Sequence, residues 1–373
     1  MTGVSTLGQS LSQITRLKSL QTTMDELQRQ VATGKQTDRF SGLGSQAINT
    51  QRARAELSAL ETYQANITTS KTRIELTINT LQEIAAQAEN VQAAIQGEVQ
   101  AGEIDLETVQ DITDNIFQYM FSLINTKDGD RYLLAGADAA TQPIADDGLM
   151  EAYMGEFVPD ETNLTNPPIT ASGVIGDWGA GTITTEQFIS TYRATSDVTL
   201  GYSAPLTSNQ AGSVFVRADE NLDIDYTVEA NTQGIKDIMI AMGVIRELPP
   251  VEFAPGALND PTATTLPEDQ APFPPAEKQD NFYQVFNDLG QMMEDAIDMV
   301  NREIGRLSNI NAQLERVSYR HDTDILIQEE VISDIEDVDI TEAAIRINAL
   351  QFQVEASFTV TSVIQELSLT RFI

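Results

Sequence analysis

Apolar residues recur every three or four positions at both ends of this chain, and neither stretch can bury its stripe alone. Near the start they fall at Leu7, Leu11, Ile14, Leu17, Leu20, Met24, Leu27 and Val31. Near the end they fall at Ala344, Ile347, Leu350, Val354, Phe358, Thr361 and Ile364. Spacings of three and four mark amphipathic helices with a period close to the seven-residue repeat of a coiled coil. A helix with one apolar stripe needs a partner, so the two ends are expected to pair. The last helix asks for more. Ile345, Ala349, Phe352, Ala356, Val360 and Val363 lie off its main stripe, and a helix that is apolar around much of its circumference is normally covered on all sides. The extra cover is expected from other subunits, which makes the chain an oligomer or filament subunit whose core is built from its ends.

Between the ends the pattern changes twice. "TGK" at Thr33 to Lys35 breaks the first helix, with Gly34 suited to the position just past a helix end. The loop "TDRFSGLGS" leads into a second helix from about Ser45 through Ile67, Ile74, Ile78, Leu81, Val91 and Ile95. "GEVQAGEIDLET" then connects to a third helix carrying Val109, Ile112, Ile116, Tyr119 and Leu123. Asp128-Gly129-Asp130 reads as a turn before a short strand at Tyr132-Leu133-Leu134. From about 136 to 280 the chain is rich in Gly, Pro, Thr and Asp. Strands are expected in "SVFVRADENLDIDYTVEA", one helix in "NTQGIKDIMIAMGVIREL", and a surface loop in the Pro-rich stretch 249–278. Helix returns at Gln279, with a seam from Phe286 to Val317. A final helix opens near Asp339-Ile340-Thr341, where Asp339 or Thr341 can cap it.

The fold class expected is mainly α with a β-rich insert, a multi-domain α+β chain. Its terminal helices pair as an elongated coiled coil or helical bundle, and the central β domain lies outermost. The domain boundaries expected are 1–40 with 335–373 for the terminal coiled coil, 41–135 with 281–334 for a helical bundle, and 136–280 for the variable outer domain.

Charge excludes several partners. The chain carries 22 basic and 56 acidic residues, a net charge of -34. Phosphate contacts need clustered Lys and Arg, so nucleic acid is not an expected partner; an anionic membrane surface is disfavoured for the same reason. No run of about 18 apolar residues exists, so no membrane insertion is expected. No cleaved signal peptide is expected, because the first residues lack a basic segment followed by an apolar core. The acidity is uneven: residues 1–75 hold nine basic and six acidic groups, whereas residues 281–373 are net -11. Opposite balances at the two ends favour their mutual attraction. The absence of cysteine removes disulfides, thiol nucleophiles and thiolate-held metals.

Chemical motifs dissolve on inspection. "GLGSQA" (Gly42, Gly44, Ala47) fits G-x-G-x-x-A, but that fingerprint needs a preceding strand in a parallel βαβ unit, and "VATGKQTDRF" is no strand. "DENLDIDYTVEA" has the rhythm of a calcium loop, yet Ile224 and Ala230 stand where an EF-hand needs Gly and Glu. Alternating Asp on the solvent face of a strand is the reading kept. His321, the single histidine, offers no triad or ligand set and follows the Leu314–Val317 seam, so packing or an interface is expected of it. Carboxylate pairs such as Asp337 and Asp339 are too common in this chain to signal glycosidase chemistry. No catalytic, cofactor-binding or metal residues are expected, and the chain is read as no enzyme.

Four stretches resemble a known family. They are "MDELQRQVATGKQTDRFSG", "AELSALETYQANITTSKTRIELTINTLQEI", "GDRYLLAGADAATQPI" and "IEDVDITEAAIRINALQFQVEASFTVTSVIQELSL". Together they are similar to the bacterial flagellin superfamily, and most like its hook-associated protein 3 branch, the proteins of the hook–filament junction. The likeness covers about 1–145 and 280–373. "DRFSGLGSQA" departs from the family's Pro-Ser-Asp-Asp-Pro stretch. The resemblance implies a structural protein exported by the flagellar type III system with the help of an export chaperone. It implies assembly with copies of itself into a ring, with hook-associated protein 1 on the hook side and flagellin on the filament side. Such ends are expected to be disordered until assembly, since weakly helical, unpaired segments can thread a narrow channel. The alternative is flagellin itself, and a secreted adhesin-like module in the insert is a more distant one. The residues expected at subunit contacts are Leu7, Leu11, Ile14, Leu17, Ile347, Leu350, Val354, Phe358 and Ile364.

Overall fold

The computed structural model describes residues 3–102, 104–144, 174–179, 183–249 and 275–369. The greater part of the Pro-rich stretch expected to be a loop, 250–274, lies outside the described residues, as does 145–173. The chain forms two compact units, one of residues 1–63 with 319–373 and one of residues 64–318.

The first unit is built from helices. Helix α1 spans Gly3–Thr33, a 3₁₀ segment spans Phe40–Gln46, and helix α2, Ala47–Ala101, contributes its first part. The last part of helix α8, Pro275–Glu336, and the whole of helix α9, Ile340–Leu369, complete it. Helices α1 and α9 pack against each other, as expected of the two ends. They run antiparallel: Gln13 to Leu20 share one groove with Gln353 to Thr361, whereas Glu26 to Gln30 share another with Val338 to Ala343.

Burial in this unit is thin. Among the described residues, only Leu27 of α1 and Ala343 of α9 are fully buried along the pair; Leu17, Leu20, Met24, Val31, Ile347, Leu350 and Val354 are half-buried. Leu11 and Ile14 leave the seam altogether, each 57% exposed. Their spacing explains it. From Leu11 to Leu20 the steps are three, three and three. Each step of three falls about 60° short of a full turn at 3.6 residues per turn, so the stripe winds about 180° around the helix over those positions.

The corner between the ends is fastened by polar groups. Gly34 ends α1 with φ +70°, a conformation that glycine adopts without a Cβ penalty. The chain then crosses the break between α8 and α9. Lys35 pairs antiparallel with Asp337. The Gln36 N–H donates to the Glu336 carbonyl at 2.7 Å, and the Val338 N–H donates to the Gly34 carbonyl at 2.9 Å. Asp339 caps α9, its Oδ1 accepting from the N–H groups of Thr341 at 2.8 Å and Glu342 at 3.1 Å, which satisfies donors a helix start otherwise leaves open.

The second unit holds the hydrophobic core. Helix α3, Leu106–Ile124, opens with Asp105 accepting from Thr108 N–H. A short hairpin pairs β1, Lys127–Asp128, with β2, Arg131–Tyr132. Within the insert, helices α4 (Val174–Gly179), α5 (Thr185–Arg193) and α6 (Ala204–Thr207) precede a second hairpin. That hairpin pairs β3, Phe215–Asp219, with β4, Leu222–Asp225, in the register Val216 to Ile224. Helix α7, Gln233–Glu247, follows where one embedded helix was expected. The fold is thus mainly helical with a small sheet insert, and the three helices before the hairpin are additions that the Gly- and Thr-rich sequence concealed. One continuous core joins Ile74, Leu81 and Ile95 of α2, Phe117 and Met120 of α3, Ile238 and Met242 of α7, and Phe286, Met293 and Leu307 of α8.

Candidate assembly surface

Exposed large apolar side chains gather in the first unit. Helix α9 carries more of them than any other element: Ile345 is 64% exposed, Phe352 73%, Phe358 54%, Val360 51% and Val363 48%. Ala349 and Ala356 are exposed between them. At 100° per residue, Ile345, Ala349, Phe352, Ala356, Val360 and Val363 share one face. Ala343, Ile347, Leu350 and Val354 occupy the roughly opposite face, toward α1. Helix α9 is therefore apolar on two sides and covered on one within the chain. A contiguous apolar strip of this kind marks an interaction surface.

The contact residues expected from the sequence divide between these faces. Leu11, Ile14 and Phe358 are exposed, whereas Leu17, Ile347, Leu350 and Val354 are half-buried in the intrachain seam. Leu7 and Ile364 lie in α1 and α9, with side chains outside the described residues. Missing from the expected set are Ile345, Phe352, Val360 and Val363, the outer face itself. Their signal was present in the sequence as the second apolar stripe of the last helix.

Polar groups flank the strip without closing it. Lys18 is exposed on the same side of α1 as Leu11 and Ile14, and Glu355 is exposed on α9 beside Phe352. Between α1 and α9 runs a groove of about 420 Å³, lined by Arg16, Leu17, Leu20, Ala356 and Val360 among others.

The residues singled out for other chemistry are structural. His321 is 1% exposed and stacks on Tyr63, ring centroids 5.9 Å apart. The "GLGSQA" segment is the 3₁₀ turn that opens α2. Asp223 pairs with Arg217 across the β3–β4 hairpin at 3.0 Å, and that guanidinium holds the carboxyl below its usual range. Among the described residues, no group of three or more His, Cys, Asp or Glu is placed to hold a metal ion, and no helix is long and apolar enough to cross a membrane.

Paired terminal helices with an uncovered apolar face leave a surface of the kind that partners cover. Residues 291–373 match the bacterial flagellin C-terminal helical region, the segment that holds most of α8 and all of α9. That segment is also where the fourth of the stretches resembling the flagellin superfamily falls, so the match and the resemblance coincide at the C-terminal end of the chain. A solved structure from Vibrio parahaemolyticus, described as a flagellar hook-associated protein, is similar over 78% of this chain and 97% of its own, with 12% identity and a TM-score of 0.46. No curated protein sequence matches the chain.

Proposed function

We propose that this protein is a subunit of the junction ring between hook and filament of the bacterial flagellum. In this reading it leaves the cell through the flagellar type III system, aided by an export chaperone. It then stands between hook-associated protein 1 and flagellin. The paired helices α1 and α9 form the inner wall of the assembly. The role is structural and not enzymatic.

The observation that carries this reading is the outer face of α9. It lies inside the flagellin-type segment, and its largest side chain, Phe352, is 73% exposed. Filament flagellin shares that segment and stands as the second reading. "RYLLAGADAATQPI" after the third helix, similar to the junction branch, favours the first.

Immunogold labelling of intact flagella with an antibody to residues 136–280 separates the two. Gold in a narrow band where hook meets filament is the expected result. Gold along the whole filament would make the chain a flagellin, and gold nowhere on the organelle would remove both readings. Phe358→Asp, which places a charge at an exposed apolar position of α9, is expected to abolish assembly; full motility with that variant would count against the assignment.

A further inference from the structure

We propose that helix α1 of one copy of this chain docks on the outer face of α9 of the next, and that Lys18 of the first pairs with Glu355 of the second across that boundary. This pairing rests on the reading of the chain as an assembling flagellar subunit. Two apolar faces of the first unit point away from the seam within the chain. On α1 the face is formed by Leu11 and Ile14, each 57% exposed. At 100° per residue these two lie about 60° apart, and Lys18 falls between them in angle, two turns beyond Leu11. Leu17, Leu20 and Met24, half-buried against α9 of the same chain, lie on the opposite side. On α9 the outer face is uneven. Phe352, its most exposed side chain, stands between the exposed Ala349 and Ala356. A large side chain bracketed by small ones leaves hollows on either side, and a facing helix fills such hollows with aliphatic knobs. Leu11 and Ile14 are the large aliphatic side chains that α1 leaves uncovered among its described residues.

Charge selects the same occupant. With a net charge of -34, most of the surface repels a second copy. The start of the chain is the exception: residues 1–75 hold nine basic and six acidic groups, against a net -11 for residues 281–373. Among the described residues, Lys18 and Glu355 are in no ion pair, although charged neighbours on the same two helices are: Arg29 pairs with Glu26 and Asp38, and Arg346 with Glu342. Arg16 lines the groove between α1 and α9. An uncommitted cation thus sits on the α1 face and an uncommitted carboxylate at the edge of the α9 face. Opposite charges placed so guide the encounter and fix its register, because shifted registers lose the pair or oppose like charges.

The spacing along the two helices agrees. Copies set side by side around one axis keep one direction, so α1 of one copy meets α9 of the next antiparallel, as the two helices meet within a chain. With Ile14 set against Ala356, Leu11 falls beside Val360 and Lys18 comes opposite Phe352, within one turn of Glu355. A lysine covers that distance by laying its methylenes on the apolar strip and keeping its ammonium at the edge. The two faces differ, so each copy offers one and receives the other. Such a contact is heterologous and builds a ring or an open helix, whereas a self-complementary face closes a pair. Nothing in this pairing requires the ends to be ordered before copies meet.

The absence of cysteine makes the contact directly readable. Flagella are sheared from cells that make full-length Lys18→Cys and Glu355→Cys chains together, treated with a short bis-maleimide, and run on a denaturing gel. A covalent dimer is expected from the mixture, and monomer alone from cells that make either variant by itself. A dimer from one variant alone would show like faces meeting and would overturn the pairing. So would a mixture in which both chains enter the flagella and no dimer forms. A charge exchange tests the register. Lys18→Glu and Glu355→Lys should each lower the amount of chain in sheared flagella about tenfold, and the two together should restore most of it. Single variants that enter at the native level, or a double variant no better than either, would overturn the Lys18–Glu355 pair. Native chain missing from the flagella would overturn the subunit reading and this pairing with it, whereas native chain present without the expected dimer overturns the pairing alone.

Discussion

At the residue scale, two positions of the second unit show how close packing and polar satisfaction fix the insert against the core helices. Gly234 lies in the first turn of α7, and a Cβ there would stand 2.9 Å from Met299 Cβ and 3.0 Å from the Ala296 carbonyl oxygen. Glycine in a helix is ordinarily about 1 kcal/mol worse than alanine. Here the close approach reverses the sign, and Gly234→Ala is expected to lower stability by about 1–3 kcal/mol, the cost of overpacking, read as a lower urea midpoint. Gln110 does the opposite work, supplying a donor. Its amide nitrogen lies 3.1, 2.9 and 2.9 Å from the carbonyls of Ile245, Arg246 and Leu248, the open C-terminal end of α7. Gln110→Leu leaves those acceptors without the amide and is expected to cost about 1–3 kcal/mol, checked by the same midpoint. Neither role was legible in the sequence, because each depends on which helices meet, and spacing along one helix carries no such information.

At the scale of the element, α9 is the case in which the sequence spoke most clearly and was half heard. Its two stripes are visible from spacing alone, and the structure assigns them opposite tasks. Ile347, Leu350 and Val354 pack toward α1, while Ile345, Phe352, Val360 and Val363 face outward. Substitutions on the two faces should therefore separate. Leu350→Ala, in the seam, is expected to cost the isolated chain about 1–2 kcal/mol, as fits a half-buried leucine, measured as loss of helix at a lower urea concentration. Phe352→Ser is expected to leave that midpoint unchanged and to prevent assembly, measured by sedimentation. Equal effects on both readouts would show that the outer face is not a contact surface. The same reading applies to α1, where the run of threes from Leu11 to Leu20 already contained the winding that carries Leu11 and Ile14 out of the seam. What the sequence concealed was the helical part of the insert. Thr184 caps α5 through a reciprocal box with Gln187, whose side chain returns a bond to the Thr184 N–H at 3.0 Å. A threonine followed three residues later by glutamine is a helix-start signal, but it sits in a stretch whose Gly and Thr content reads as strand and turn.

For the whole molecule, the two units differ in what stabilises them. The second is contiguous in sequence, 64–318, and the apolar cluster from Ile67 to Val317 lies wholly inside it. The first draws on both ends of the chain, and its fully buried residues include Thr50, His321 and Glu336 beside a few apolar ones. A segment that holds its own core can fold alone, whereas one that depends on residues from both ends requires the full chain. A fragment of 64–318 is therefore expected to keep its helical signal and the buried emission of Trp178, with a thermal midpoint within about 10 °C of the second transition of the full chain. The full chain should show an earlier transition for the terminal helices, and the fragment should lack it. The fragment should also fail to assemble, since every residue of the outer α9 face is gone. A fragment that unfolds on its own would mean that the ends stabilise the core as well as one another, and a fragment that still assembles would move the contact surface to the second unit, where the exposed Ile112 and Tyr119 of α3 would be the place to look.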